Sequence, residues 1–286
     1  MAVTYAVTAV DGVAFGLLLF VVAAGLTLIF GVMGVLNLAH GSLYLAGAYI
    51  AYLLSRGNLL GLLAALAVGA VVGAGGGAGL SAVVRPLTGH LEQAVATLGI
   101  AYLAADGFSA LFGATPQPAD PPRLLAGSIQ LGGVGYPVYR LVFIALAAGI
   151  AVGLHLAVTR TRAGVLLRAT VADPVMAAAT GIPTGRVQLA WMAGGGMLAV
   201  AGGVLGAPLL GPAPGVDTTV LVLCLIVVVI GGAGSIPGTL LGALLVGQVQ
   251  TVGVLAAPTL APFALVAVLI AVLAVRARTG TGVRLT

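Results

Sequence analysis

The stretch that decides the fold is Gly12-Val-Ala-Phe-Gly-Leu-Leu-Leu-Phe-Val-Val-Ala-Ala-Gly-Leu-Thr-Leu-Ile-Phe-Gly-Val-Met-Gly-Val-Leu36. Its 25 residues carry no charge, no proline and a single hydroxyl, that of Thr27. At 1.5 Å per residue such a helix is about 37 Å long, more than the ~30 Å hydrocarbon core of a bilayer. Apolar residues occupy every face of it, so it cannot lie half in water. The rest of the chain is of the same kind. Of 286 residues, 61% are hydrophobic and 6% charged, with a mean hydropathy of +1.24, whereas soluble domains carry about 25% charged residues. The expectation is an all-α, polytopic integral membrane protein forming one transmembrane domain over residues 1–286.

Further apolar stretches lie near 38–55, 58–80, 91–112, 139–159, 187–210, 216–231, 238–256 and 259–276, making nine segments with the first. Residues 216–231 are short for a full crossing, and the 216–256 region either crosses twice or is partly re-entrant. About eight transmembrane helices are therefore expected. Residues 113–138 hold Pro116, Pro118, Pro121, Pro122 and Pro137 and read as an irregular loop or short re-entrant piece. Residues 160–186 are the longest polar stretch. Within them Asp173-Pro174 is a helix-start signal, Ala177 to Thr180 continues the helix, and Gly181 stops it. Small residues recur four apart at Gly69/Gly73/Gly77, Gly75/Gly79, Gly202/Gly206 and Gly238/Gly242, the spacing that lets membrane helices approach closely.

All eleven basic residues are arginine. Without lysine the chain cannot carry a standard Walker A loop or Schiff-base chemistry. The formal net charge of +5 does not point to nucleic acid, because the arginines are scattered between apolar spans. They read as topology determinants. Arg85, the loop group Arg160, Arg162, Arg168 and Arg186, and the tail group Arg276, Arg278 and Arg284 belong in the cytoplasm by that rule, leaving Arg56, Arg123 and Arg140 outside. The 160–186 loop is then cytoplasmic, the 113–138 loop extracytoplasmic, the N-terminus outside and the C-terminus cytoplasmic. Met1 to Asp11 hold no basic residue, so the first helix is expected to be retained. Cys224, the one cysteine, reads as a small core residue.

Few residues inside the spans can carry chemistry. Asp11, Glu92 and Asp217 fall at span ends, and Asp106 is the one acid well inside a span, either a hydrogen-bond partner or part of a pathway. Asn37 and His40 sit among Gly31, Gly34 and Gly41, where a helix can unwind and offer backbone groups to a zwitterionic solute. Asn37, His40 and Asp106 are thus the candidates for a gate or pathway. His40, His90 and His155 are single, with no second metal ligand at a motif spacing. A secondary carrier would place its coupling on Asp106, and a membrane-embedded enzyme would need a convergent polar cluster that the sequence lacks. The driving force is expected on a partner subunit, docked at the 160–186 loop.

The run from Gly25 to Tyr49, with its Gly-Val-Leu-Asn-Leu-Ala-His-Gly-Ser core, resembles the N-terminal signature of branched-chain amino acid ABC transporter permeases of the LivH type. Similar matches follow in order: Arg85-Pro-Leu, Thr97-Leu-Gly-Ile, Arg168-Ala-Thr-Val-Ala-Asp-Pro with Ala177 to Ile182, and Gly231 to Gly238 with Gly242. The resemblance runs from about residue 12 to 275. It implies an inner-membrane permease that imports branched-chain amino acids with a second, LivM-like permease, two ATP-binding cassette subunits and a periplasmic or lipid-anchored solute-binding protein. It implies no cofactor and no catalysis in this chain, ATP being bound by the partners. It also implies that 168–182 contacts the ATPase, with Arg168, Asp173, Ala177 and Gly181 as coupling residues. Asp106 stands where the family commonly has an amide and Gln250 where an acid often follows the last glycine motif. Urea, short-chain amides and aromatic acids, handled by related permeases, are the alternative solutes.

Overall fold

The computed structural model describes residues 2–34, 36–87, 89–131 and 133–279; Arg284, one of the tail arginines, lies outside the described residues. In order the elements are α1 (Ala2–Met33), α2 (His40–Leu54), α3 (Leu59–Val84), α4 (His90–Phe112), a hairpin of β1 (Ser128–Leu131) and β2 (Val134–Pro137), α5 (Val138–Arg160), α6 (Arg162–Ala172), α7 (Pro174–Ala179), α8 (Thr184–Leu210), α9 (Val216–Gly231), α10 (Ile236–Gln248), α11 (Val254–Ala256) and α12 (Ala261–Thr279). A π-helical turn at Val249–Gly253 joins α10 to α11. Each of the nine apolar segments is a helix. Six are long and apolar enough to cross a membrane: Val3–Gly31, Leu59–Val84, His90–Phe112, Val138–Arg160, Thr184–Leu210 and Ile236–Ala256. The other three, α2, α9 and α12, are shorter, so the expected count of about eight is loose.

α1 is the central post: every residue from Leu18 to Ala24 is fully buried. α8 packs against it and against α2 and α3, and the contact is made by backbone. A Cβ on Gly203 would overlap the carbonyl oxygen of Tyr44, and one on Gly73 would stand 2.6 Å from the carbonyl oxygen of Gly196. The expected tight packing holds for Gly69, Gly73 and Gly77, and for Gly202, Gly206, Gly238 and Gly242. It fails for Gly75 and Gly79, which face open space on the outer side of α3. α4 is peripheral, with Thr97 its one buried residue.

The molecule has two distinct ends. At one, Gln117 N–H donates to Pro212 O (2.9 Å) and Arg123 N–H to Gly57 O (2.8 Å), gathering the 113–137 segment over the α2–α3 and α8–α9 turns. At the other, Arg85 donates to Gly185 O and Arg168 to Val158 O, joining the ends of α3 and α5 to the 160–186 segment. Arg56, Arg123 and Arg140 thus lie at the first end, and Arg85, Arg160, Arg162, Arg168 and Arg186 at the second.

Both loops hold more structure than their sequence suggests. The 113–138 stretch contains the antiparallel hairpin, registered Ser128↔Pro137 to Leu131↔Val134. Its prolines lie before the strands or at the last ladder position, where proline costs no interior bond. The buried Tyr136 hydroxyl donates to Asp11 (2.9 Å), and Asp11 also pairs with Arg140. Burial first, and that hydrogen bond second, raise the Tyr136 pKa from its ordinary value and keep the hydroxyl a donor. In the 160–186 stretch α6 precedes the expected short helix. Thr161 caps it by accepting from Gly164 N–H (3.2 Å), and Gly164, Leu167 and Thr170 form its buried face. With Arg162, Arg168 and Thr170 among its eleven residues, this short amphipathic helix does not register as an apolar segment.

Gly203→Val should therefore separate α2 from α8, an overpacking cost of about 1–3 kcal/mol or more. The readout is a lower thermal midpoint of the full chain in detergent, followed by gel filtration. Gly75→Val, in open space, should stay within about 0.5 kcal/mol; equal losses in the two variants would refute the packing assignment.

Candidate functional site

The candidate site begins where α1 ends. After Met33 the helix stops at Gly34, whose φ is +66°, and residues 36–39 are non-helical before α2 begins. His40, the first residue of α2, reaches the carbonyl of Val22 through Nε2 (2.9 Å). Val22 lies eleven residues before the end of α1, so α2 starts about 16 Å inside. From Gly41 to Leu54 it then rises about 20 Å to the hairpin end, where Tyr52 and Arg56 meet Pro118 and Asp120. The start of α2 is thus close to the middle of a ~30 Å core.

α9 repeats the arrangement from the other side. α8 ends at Leu210 beside Gln117, and residues 211–215 descend in turns, with Gly211 at φ +66° and Gly215 at φ +86°. α9 then begins against α2: a Cβ on Gly41 would overlap the carbonyl oxygen of Asp217 and stand 3.0 Å from Leu221 Cβ. Two helix N-termini therefore meet deep in the bundle. The Gly41, Ser42, Asp217 and Thr218 amides, in the first turns of the two helices, have no hydrogen-bond partner among the described residues.

A cavity of about 200 Å³ lies between α2, α4 and α9. Gly41, Ser42, Gly215, Asp217 and Thr218 form its polar side, and Leu38, Leu98, Ala101, Tyr102, Ala105 and Leu221 its apolar side. Asp217 is 5% and Ser42 6% exposed, yet Asp217 Oδ1 and Ser42 Oγ make no hydrogen bond. Asp217 is a residue that sequence reading sets aside as a span-end acid. Only the depth at which α9 starts makes it an interior one, and the signal for that was the Gly-Pro-Ala-Pro-Gly run at 211–215 before an unusually short helix.

The sequence candidates divide accordingly. Asn37 is buried and organises the unwound segment: its Oδ1 accepts from Ala39 N–H (3.1 Å), while Nδ2 is unpartnered. Leu38 N–H meets Thr97 Oγ1 of α4 (3.2 Å). His40 is buried, with Nδ1 unpartnered. Both stand beside the cavity and neither lines it. Asp106 is elsewhere, exposed on the outer face of α4 with no hydrogen-bond partner among the described residues.

The 168–181 stretch lies at the opposite end. Asp173 caps α7, accepting from Val175 and Met176 N–H (2.9 Å each). Gly181 at φ +86° ends it, and Ile182 N–H returns to Ala177 O (3.0 Å). Arg168 is exposed and ties α6 to α5 through Val158 O. Ala177 is buried, so the outward face belongs to Val175 (77% exposed) and Met176 (65%).

A helical bundle with six helices long enough to span a membrane, two helices that begin near its middle and a capped helix exposed at one end is a polytopic membrane protein. The chain belongs to the family described as branched-chain amino acid transport system / permease component, whose model matches residues 8–275. It is similar to the high-affinity branched-chain amino acid transport system permease protein BraD of Pseudomonas aeruginosa, 29% identical over 85% of this chain and 84% of that one. LivH of Escherichia coli K12 is 28% identical over 83% and 82%. A probable LivH permease of Methanocaldococcus jannaschii is 29% identical over 80% and 75%. No solved structure matches.

Because Asn37 acts through its oxygen, Asn37→Ser should hold the turn and Asn37→Leu should lose it, at about 1 kcal/mol. Thermal midpoints of the two variants in detergent decide this, and equal midpoints would remove the assigned role.

Proposed function

We propose that the chain is the transmembrane permease subunit of a binding-protein-dependent ABC importer for branched-chain amino acids. The observation that carries this reading is the family match over residues 8–275. On this reading ATP is hydrolysed on partner cassette subunits, and a solute-binding protein delivers the amino acid at the hairpin end. The chain itself makes and breaks no bonds.

The segment that meets the ATPase is α6–α7. Its supports are a helix capped at both ends and two exposed apolar side chains, Val175 and Met176, that await a covering surface. Asp173 and Gly181 define the ends of that element, Arg168 fixes it to α5, and Ala177 seats it on the bundle. The five arginines at this end make it the cytoplasmic one by the positive-inside rule. The N-terminus is then outside and the C-terminus cytoplasmic, a placement that needs an odd number of crossings, as nine helices supply and eight do not.

A second permease is supported by α4. An acid facing lipid costs up to about 2.5–3.5 kcal/mol at a helix centre and less towards the ends, and Asp106, nearer the outer end of α4, stands on the exposed face of a helix that buries one residue in this chain. Protein or a water-filled path against that face removes the cost. Asn37 and His40 shape the unwound segment beside the cavity and serve as gate or pathway residues.

Proteoliposomes holding the permeases and binding protein should take up labelled leucine only with ATP and the ATPase pair. Uptake of urea or an amide instead of leucine would keep the importer and change its solute. Uptake without the ATPase would overturn the mechanism. In the same assay Asp173→Arg should abolish uptake while the permease still inserts and purifies, and normal uptake by that variant would sink the coupling assignment.

A further inference from the structure

We infer that the cavity between α2, α4 and α9 is a solute station inside the membrane, recognising a zwitterionic amino acid with an apolar side chain. The inference rests on the amino-acid importer reading and names the residues that would carry recognition. Asp217 receives the ammonium, the first-turn amides of α2 and α9 with Ser42 Oγ receive the carboxylate, and Leu38, Leu98, Tyr102 and Leu221 receive the side chain.

Four observations support it. Asp217 and Ser42 are each more than nine-tenths buried and line the cavity, and their Oδ1 and Oγ are buried without a partner. A buried polar atom left unpaired costs about 1–3 kcal/mol, so two such side chains beside one cavity call for a ligand that pairs with them. The two helix N-termini that meet there expose unpaired amides and favour negative charge, which suits a carboxylate. The opposite wall is apolar, and about 200 Å³ equals several water volumes at ~30 Å³ each, room for an amino acid of modest size. One carboxylate, a set of backbone donors and an apolar wall together match the three parts of a leucine-like solute. They do not match urea, which has no charge to place, or an aromatic acid, which has no group for Asp217.

The test uses the purified full chain in detergent with Ala105→Cys on the cavity wall. The native Cys224 is fully buried, so the new thiol is the reactive one. Labelling by a small maleimide is timed with leucine, with isoamylamine, which lacks the carboxylate, and with isocaproate, which lacks the ammonium. Leucine should slow labelling, and each half-molecule should do so only at much higher concentration. Adding Asp217→Asn should raise the leucine concentration for half-protection about tenfold or more. It should leave isocaproate unchanged, which a general loss of structure would not do. If Asp217→Asn does not fold, Ala101→Phe, which fills the cavity without removing a polar group, should abolish protection by leucine. Equal protection by isoamylamine and leucine would make the site a plain cation site and overturn the proposal. So would absent protection by leucine, or protection unchanged by Asp217→Asn. Wild-type leucine uptake in proteoliposomes is measured alongside: if it fails, the importer's solute is wrong, and if it succeeds without protection, the station alone is wrong.

Discussion

The bilayer core offers no water to unpaired backbone groups, so a chain that spans it stays helical unless protein surrounds the break. This constraint orders the whole molecule. The chain leaves helical form at 36–39 and again at 211–215, and each break is partly covered by protein, with Asn37, Ala39 and Pro212 buried. Around the first, Asn37 Oδ1 accepts from Ala39 N–H and Thr97 Oγ1 meets Leu38 N–H and Leu36 O, supplying partners that regular helix would otherwise give. That enclosure explains why α1 is buried along its middle and why α4, almost bare elsewhere, buries Thr97. Where the enclosure stops short, the first-turn amides of α2 and α9 remain open and a cavity remains between them.

Close packing makes the enclosure possible. In lipid, helices gain nothing from hiding apolar side chains from water, so they associate through backbone approach and directed bonds. The glycines of α8 bring it against the carbonyls of α2 and α3, and two directed bonds, between Thr27 Oγ1 and Thr239 Oγ1 (2.9 Å) and from Gln248 Nε2 to Ala9 O (2.9 Å), join α1 to α10. Glycines on the same spacing that meet nothing, Gly75 and Gly79, mark the outer side of α3. The spacing therefore states which helices are able to approach, and the partner decides which of them do.

Much of this was legible in the sequence, for physical reasons that differ by element. Long uncharged runs admit one solution in a bilayer, so the nine helices lie where hydropathy puts them; the segment near 91–112 becomes His90–Phe112. The α7 cap was equally legible, because Asp173 and Pro174 act within one turn and need no distant partner. Asp217 was not. Its distance from the membrane face depends on where α9 starts relative to α2, which no local pattern encodes, and an acid at a helix N-terminus looks interfacial in one dimension. The hairpin escaped because its strands are four residues each and sit among prolines. α6 escaped because a short amphipathic helix between arginines has no apolar run.

The cavity and the α7 turn stand at different depths, and α8 connects them. It starts at Thr184, directly after the α7 turn, and its first turn is held by Arg85 at Gly185 O. Further along, Gly195 and Gly196 meet Gly25 and Gly73, and Gly203 meets Tyr44 of α2. A helix seated on ordinary side chains has rotamers that absorb a small shift, whereas one seated on backbone atoms has none. A shift of α8 therefore carries its whole length, and α2 moves with it or loses the contact at Gly203. Because α2 carries Gly41 and Ser42 and abuts Asp217 at its first turn, movement of α2 changes the shape of the cavity.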